Sequence, residues 1–573
     1  MVDRIEVITR TGDTRAEVRK RKIQSIGFPV EDLTLVDVYT LDIPSGENEL
    51  MSVAHMLSNP VTQEVGINRP KTPEKFDYAV EIGFLPGVTD NAGTTAREII
   101  EDGFKRTLKG QAIYSSQVMF LSGNLTREDA FKIGDSFSNS VIQRASVKSY
   151  DEFKRDRGME KVVPEVRLHE APSAGLVEIL NANDEQLSVI GKRGIANPDG
   201  TRRGPLSMDL VYMRSIQKYF ENKGRNPIDV ELESIAQTQS EHCKHTIFAD
   251  PIDEFEEGLF STFIKRATNE IRRKKGDKDF CASVFTDNAG GIIFDDEFLI
   301  CDKVETHNSP SALDPFGGAI TGIVGVNRDP IGFGRGAKPV INRYGFCFGN
   351  PEDSRILYRG ENKTQKMLPQ KRIMDGIIEG VNVGGNCSGI PTPQGFVFFD
   401  ESYRGKPLVF VGTVGLIPRE INGEKMHEKK AMPGDYVVMV GGRVGKDGIH
   451  GATFSSEAID SGSPATAVQI GDPITQKKMS DALVKEARDR GLYRSITDNG
   501  AGGLSCSVAE MAKESGGCYV YLDKVPLKYP GLTPWETWIS ESQERMTLAV
   551  PKEKWDDFHR LMERREGHGT GRG

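Results

Sequence analysis

Short apolar runs separated by polar, glycine-rich stretches set the rhythm of the chain. Arg4–Thr9, Leu33–Leu41, Tyr78–Leu85 and Ala112–Leu121 are rich in β-branched and aromatic residues and predict strands. Two further segments, Leu50–Gln63 and Ala130–Gln143, match each other: both predict a helix closing in Ser-Asn-x-Val-x-Gln, and the closings lie 80 residues apart. Residues 1–165 are therefore expected to be two α+β units packed as a pseudo-dimer, since two copies are too few for a solenoid. Residues 166–228 read as a linker. Arg193–Pro205 is a Gly/Pro/Arg-rich loop, after which Leu210, Met213, Ile216 and Phe220 form one helical stripe, with Ser207 as the expected cap and Gly224 as the stop. A second helix is expected from Asp229. Its stripe of Leu232, Ile235 and Ala236 runs into Gln239 and then Ser240-Glu-His-Cys-Lys-His245. A buried stripe that turns polar is leaving the core for something wet. From residue 229 onward short strands alternate with glycine loops and a few helices. Tyr436–Val440 enters Gly441-Gly442, and Ser495–Asp498 enters Asn499-Gly-Ala-Gly-Gly503 before a helix to about Lys513. The class is multidomain α/β and α+β.

Length and charge narrow the picture. At ~150 residues per domain, 573 residues suggest about four domains. With 74 Lys and Arg against 83 Asp and Glu, the net charge of 74 − 83 = −9 argues against non-specific nucleic-acid binding. It leaves room for a small anion held by a few placed cations. The longest apolar run, Pro407–Pro418, is far short of the ~20 residues that span a bilayer, and Met1-Val-Asp-Arg4 opens no signal peptide. A cytoplasmic protein with no membrane partner is the expectation. Seven cysteines, an odd number with no C-x-x-C pair, signal neither a disulfide framework nor a zinc site.

Several segments carry candidate chemistry. Gly441-Gly-Arg-Val-Gly-Lys-Asp447 is one residue short of a Walker A loop and has Asp where the Mg²⁺-binding Ser or Thr belongs, so that assignment is rejected. Lys303, Glu305 and His307 alternate along a predicted strand and would share a face. A cation, a carboxylate and an imidazole together suit a nucleotide site: Lys for phosphate, Glu for a hard metal, His for proton transfer. The alternative is a solvated strand face. Arg328-Asp329 repeats the anion-plus-metal pairing, and Asp498 stands where a strand meets a glycine turn, as a metal ligand or an Asx-turn residue. Glu541-Ser542-Gln543 offers donors and acceptors for a polar ligand. His242 and His245 lack a third metal ligand in sequence, while a neutral His242 can exchange a proton near pH 7.

Taken in order, Ile235-Ala-Gln-Thr-Gln-Ser-Glu-His-Cys-Lys-His245, Glu305-Thr-His-Asn308, Gly442–Gly451, Gln469-Ile-Gly-Asp-Pro473, Asp498–Gly503 and Ile539-Ser-Glu-Ser-Gln-Glu-Arg-Met546 closely resemble the synthetase subunit of the phosphoribosylformylglycinamidine synthase family. Residues 1–165 resemble two fused copies of the small subunit that accompanies some bacterial forms (PurS-like). The resemblance implies a carbon–nitrogen ligase of purine biosynthesis that turns formylglycinamide ribonucleotide, ATP and glutamine-derived ammonia into the amidine, with Mg²⁺ as cofactor and an iminophosphate intermediate. It implies His242 as a catalytic histidine and His307 as proton acceptor. His245 and Lys303 match ATP contacts; Glu305, Asp329 and Asp498 match metal ligands. Thr306, Asn308, Ser309, Arg328, Gln469, Glu541, Ser542 and Gln543 match substrate positions. Many members carry His where this chain has Ser309, which removes an imidazole there.

The implied architecture is one synthetase half, with an N-terminal ATP/Mg domain at 229–425 and a C-terminal domain at 426–573. That half is expected to stop short of its closing strand, leaving a second half and a separate glutaminase as partners. Another synthetase or kinase of the same superfamily, or a non-catalytic scaffold, are the alternatives.

Overall fold

The computed structural model describes the chain except for residues 1, 44, 109–111, 167–171, 198–199, 241, 243–244, 456–458, 460–468 and 567–573. The expected thiol Cys243 thus lies outside the described residues, while Cys281, Cys301, Cys347, Cys387, Cys506 and Cys518 form no disulfide among the described residues. The chain divides into two compact units: residues 1–168 with 528–530, and the remainder.

In the first unit the repeat is visible as topology. One copy runs β1 (Asp3–Thr9), α1 (Thr14–Ser25), β2 (Val30–Leu41), α2 (Glu47–Met56) and β3 (Gln63–Ile67). The other runs β4 (Tyr78–Phe84), α3 (Asn91–Phe104), β5 (Ile113–Gly123), α4 (Arg127–Phe137) and β6 (Gln143–Ser149), with α5 (Tyr150–Arg155) after it. Antiparallel pairing of β2 with β5 joins them into one six-stranded sheet, β3-β1-β2-β5-β4-β6. The shared closing motif makes the same bonds twice. Asn59 Oδ1 accepts the Val61 N–H (2.9 Å) and Gln63 Oε1 accepts the Asn59 N–H (2.7 Å); Asn139 with Val141 (3.2 Å) and Gln143 with Asn139 (3.0 Å) repeat them. These Asx-type turns end the helix and aim the chain into β3 or β6.

Neither copy has a core of its own. Leu50 and Val53 of α2 pack with Ala96 and Ile100 of α3, while Ala16 and Ile23 of α1 pack with Ala130 and Ile133 of α4. The pattern along the chain missed α1 and α3. In α1 only Ala16 and Ile23 are buried among charged residues, too sparse a stripe to announce a helix.

The second unit begins with α6 (Asp184–Arg193), α7 (Leu210–Lys223) and α8 (Asp229–Gln239), followed by the short α9 (Thr246–Ala249) and α10 (Arg266–Lys275). The cap of α7 is Asp209, which accepts the Tyr212 N–H at 2.9 Å, and not Ser207. Ser207 instead has a φ of 51°. Leu232 and Ala236 of α8 share one core with Met213, Ile216 and Phe220 of α7, so the boundary drawn at 228 falls inside a packed helical layer.

A mixed sheet follows, ordered β11-β10-β12-β9-β8-β7. It is built from β7 (Cys281–Ser283), β8 (Gly290–Ile293), β9 (Phe298–Thr306), α11 (Asn308–Leu313), α12 (Pro315–Gly332), β10 (Lys338–Phe348), α13 (Gln370–Ser388), β11 (Gln394–Phe399) and β12 (Leu408–Pro418). The Gly- and Ile/Val-rich α12 is buried along almost its whole length, as expected of a helix apolar on every side. It lies against β9 and β12 on one side and α13 on the other.

After the β13–β14 hairpin (Glu420–Ile421, Glu424–Lys425) the chain forms a three-stranded antiparallel sheet, β15-β17-β16. Its elements are β15 (Tyr436–Gly441), α14 (Gly451–Ser455), α15 (Pro473–Ala482), β16 (Ser495–Asp498), α16 (Leu504–Ser515), α17 (Pro534–Ile539), β17 (Arg545–Val550) and α18 (Trp555–Glu566). Val438, Val440, Met479, Ile496, Leu548 and Phe558 make its core. No helix among the described residues is long and apolar enough to cross a membrane.

Candidate functional site

The site forms where β9 passes α12. Alternation on β9 puts Leu299 and Cys301 into the core and turns Lys303 and Glu305 the same way, half-buried, at the open end of the strand. Lys303 Nζ lies 3.0 Å from Glu305 Oε1 and 3.6 Å from Asp329 Oδ1 on α12. The neighbouring Arg328 is buried; its Nε lies 3.4 Å from Asp498 Oδ2 at the end of β16, and its Nη1 donates to Gln543 Oε1. Asn288, which the motifs did not mark, donates to Asp498 Oδ1 at 2.7 Å. Two cations thus tie together carboxylates carried by a strand, a helix and a glycine turn far apart in sequence. The turn after Asp498 requires glycine at 503, where φ is +56° and a Cβ would stand 1.9 Å from the Ser540 carbonyl oxygen.

The charge distribution is under tension. Burial, then repulsion from Asp498 and Glu305, raise the Asp329 carboxyl well above the ordinary carboxylate range despite Lys303 and Arg328. Burial works against the Lys303 ammonium, but Asp329 and Glu305 outweigh it and hold its pKa above the ordinary value.

Both imidazoles are pushed toward neutrality. His307 does not extend the strand face as the alternation implies. β9 ends at Thr306, the His307 N–H donates to the Val409 carbonyl (2.9 Å), and the ring sits beside Gly322 of α12. Burial takes its pKa down to about 4, and Nδ1 has no hydrogen-bond partner among the described residues. His242 is open to solvent on one side, yet desolvation by the surrounding protein lowers its pKa, with Glu305 offsetting part of the shift. His245 Nε2 sits 3.0 Å from the His242 carbonyl oxygen at the start of α9.

The loop between α17 and β17 supplies the polar wall. Glu541 Oε1 accepts the N–H groups of Ala452 (3.1 Å) and Gly502 (3.0 Å), and its Oε2 accepts Gln469 Nε2 (2.7 Å). Gln543 Nε2 donates to Gln469 Oε1 (2.5 Å) and to the Glu541 carbonyl (2.8 Å). Ser542 donates to Asp447 Oδ1 (2.8 Å) and accepts the Gly445 N–H (3.0 Å), so the Walker-like stretch braces this loop. Beneath it the fully buried Arg545 donates to the carbonyls of Ser542 (2.7 Å) and Ser540 (2.6 Å). Of the remaining expected residues, Thr306 is exposed at the strand end, Asn308 Oδ1 accepts the Val409 N–H (2.8 Å), and the buried Ser309 hydroxyl donates to the Ser455 carbonyl (3.4 Å). Asn288 went unnoticed in the sequence because a lone Asn carries no motif, and Arg545 stood within the Ile539–Met546 motif without an assigned role.

Burial, partly opposed by its three donors, raises Glu541 to about 7. Its folded pKa thus lies above the unfolded value near 4.3, so its contribution to stability is complete below that value and lost as pH rises toward 7. Glu541→Gln should flatten the fall in Tm between pH 5 and 7; an unchanged slope in thermal unfolding would contradict the assignment.

Among the described residues no three His, Cys, Asp or Glu side chains stand ready as a closed metal nest, because Lys303 occupies the space between Glu305 and Asp329. The donor set still fits Mg²⁺, which takes one or two carboxylates with ligand phosphates and water. The mutual repulsion that lifts Asp329 is relieved by a divalent cation.

The domains of the second unit resemble those of the AIR-synthase-related class. Residues 286–417 match the AIR synthase related protein N-terminal domain, 432–569 its C-terminal domain, and 201–245 the formylglycinamide ribonucleotide amidotransferase linker domain. Within that class the chain is similar to subunits named PurL. It is 35% identical over 392 residues to the phosphoribosylformylglycinamidine synthase subunit PurL of Thermoplasma acidophilum, covering 68% of this chain and 46% of that protein. It is 39% identical over 282 residues to the Thermococcus kodakarensis subunit, covering 48% and 37%. A solved structure of T. maritima PurL complexed with FGAR aligns at 32% identity over 62% of this chain and 50% of that one, with a TM-score of 0.47. The chain spans about half the length, or less, of the curated relatives it matches.

Proposed function

We propose that this chain forms part of an ATP-dependent ligase that converts formylglycinamide ribonucleotide to its amidine. The observation that carries the proposal is the junction of Lys303 and Arg328 with Glu305, Asp329 and Asp498, beside the Glu541–Gln543 wall and two neutral imidazoles. In this reading Lys303 and His245 bind the ATP phosphates, and Arg328 with Gln469, Glu541, Ser542 and Gln543 orients the substrate. Thr306, Asn308 and Ser309 would be further substrate contacts. Glu305, Asp329 and Asp498 would hold Mg²⁺, which supplies charge neutralisation for phosphoryl transfer.

The γ-phosphoryl group passes to the amide oxygen as its bond to ADP breaks. Ammonia nitrogen then bonds to the activated carbon, the carbon–oxygen bond breaks, and phosphate leaves. A proton must leave the nitrogen. A neutral His307, whose Nδ1 has no partner among the described residues, suits the acceptor, and His242 at the open side suits a second proton-handling role. His242→Ala should cut turnover by about 10²–10⁴-fold with little change in Mg·ATP affinity.

The ammonia would come from a separate glutaminase, and a second synthetase half would complete the enzyme. The doubled α+β unit at 1–165 would act as a fused PurS-like module. Assembled with those partners, the chain should release ADP only when ammonia and the formylglycinamide ribonucleotide are both present. Absence of release would discard the ligase assignment, and failure of Mg·ATP to raise the Tm would favour a scaffold.

A further inference from the structure

Helix α8 has a second buried face, and it is polar. Leu232 and Ala236 serve the linker core, while Glu233 and Gln237 are buried on the adjoining face, one turn apart, and Ser240 is buried just past the helix end. Glu233, 0% exposed, reaches His450 Nε2 with Oε2 at 2.8 Å, and its Oε1 has no partner among the described residues. His450 is 5% exposed and has a φ of 58°, which a non-glycine residue adopts only when its surroundings impose it.

Those surroundings are specific. The imidazole stacks on Trp535 (6.3 Å, 20°), and the other polar partner of that indole is Arg203, 4.8 Å away and itself paired with Asp229 at 2.9 Å. Gly204 closes the cage: a Cβ there would stand 2.9 Å from His450 Nδ1. Gln237 packs its Cβ against Gly502, where an added methyl would meet it at 3.2 Å.

The two residues α8 reaches precede or flank the donors of Glu541. His450 starts the turn that presents the Ala452 N–H, and Gly502 presents the other backbone N–H. Gly448 completes the turn, with Glu541 Cβ and Gln469 atoms 2.7–2.8 Å from where its own Cβ would be. The 448–454 turn is thus packed directly against Glu541 and Gln469.

We propose that Glu233 and His450 are positioning residues: the linker helix holds the 448–454 turn through this pair and thereby sets Glu541 and Gln469 for substrate. The role for substrate rests on the ligase reading above; the mechanical link does not. The test is hydrogen exchange on the full chain, read at segments 448–454 and 500–504, with affinities for formylglycinamide ribonucleotide and Mg·ATP measured alongside. Glu233→Ala should speed exchange at least tenfold in both segments and weaken the ribonucleotide at least tenfold, with Mg·ATP affinity within twofold of the wild type. Glu233→Gln, whose amide oxygen still accepts from His450, should restore both readouts. If Glu233→Ala does not fold, His450→Asn, which tolerates the positive φ but cannot reach Glu233, carries the same expectation. Unchanged exchange at 448–454 and 500–504, or equal weakening of both ligands, overturns the proposal. Faster exchange in a protein whose wild type ignores the ribonucleotide upholds the link and overturns the ligase reading.

Discussion

Arg328→Met should lower the unfolding free energy by roughly 3–5 kcal/mol, the usual cost of removing one partner from a buried charge network. The guanidinium joins Asp498 to Gln543 and offsets the charge of Asp329; Arg328, Asp329 and Gln543 are buried, and Asp498 is partly so. Without it two carboxylates remain near one another with only Lys303 as counter-charge, and the Gln543 oxygen loses its donor. The sign of the pH dependence follows. Losing Arg328 raises the Asp329 carboxyl further, so the added stability is retained below its unfolded pKa and lost as pH rises. The defect should therefore be larger at pH 8 than at pH 5 in denaturant titrations. A variant within 1 kcal/mol of the wild type at both values would mean that water already screens this network.

The second large effect concerns the carboxylates themselves. Glu305→Gln and Asp498→Asn keep size and hydrogen bonding but remove charge, and each should weaken Mg·ATP by at least tenfold. A ligand at a hundred times its Kd stabilises a protein by about 2.7 kcal/mol, and a tenfold weaker one by about 1.4 kcal/mol less. The Tm rise on adding Mg·ATP should shrink accordingly. In the absence of nucleotide Asp498→Asn should cost little, because Arg328 retains Gln543 as an acceptor and Asn288 can turn its amide. Equal nucleotide-induced shifts in wild type and both variants would remove these residues from the metal site. The two predictions separate what holds the site together from what the site holds.

Much of this was legible along the chain, for physical reasons that differ from residue to residue. The Ser-Asn-x-Val-x-Gln repeat betrayed the doubled unit because Asn and Gln bond to backbone only a few residues away. The stripe on α7 and the strand–glycine boundary at Asp498 are likewise local, so periodicity and turn chemistry reveal them. Motif order marked Lys303, Glu305, Arg328, Asp329 and Asp498 as belonging together. By contrast, α1 stayed hidden because only Ala16 and Ile23 are buried on it, and they join a core that β2 shares with α4, more than a hundred residues away. The order of residues alone specified which side chains carry charge and where a strand meets a glycine turn, as at Asp498. Only the tertiary structure decided that His307 leaves the strand to be buried against α12, that Ser542 is committed to Asp447, and that Glu541 and Asp329 bind their protons more tightly than exposed carboxylates do. Desolvation and the approach of like charges depend on what lies across the cleft, and no spacing along one chain records that.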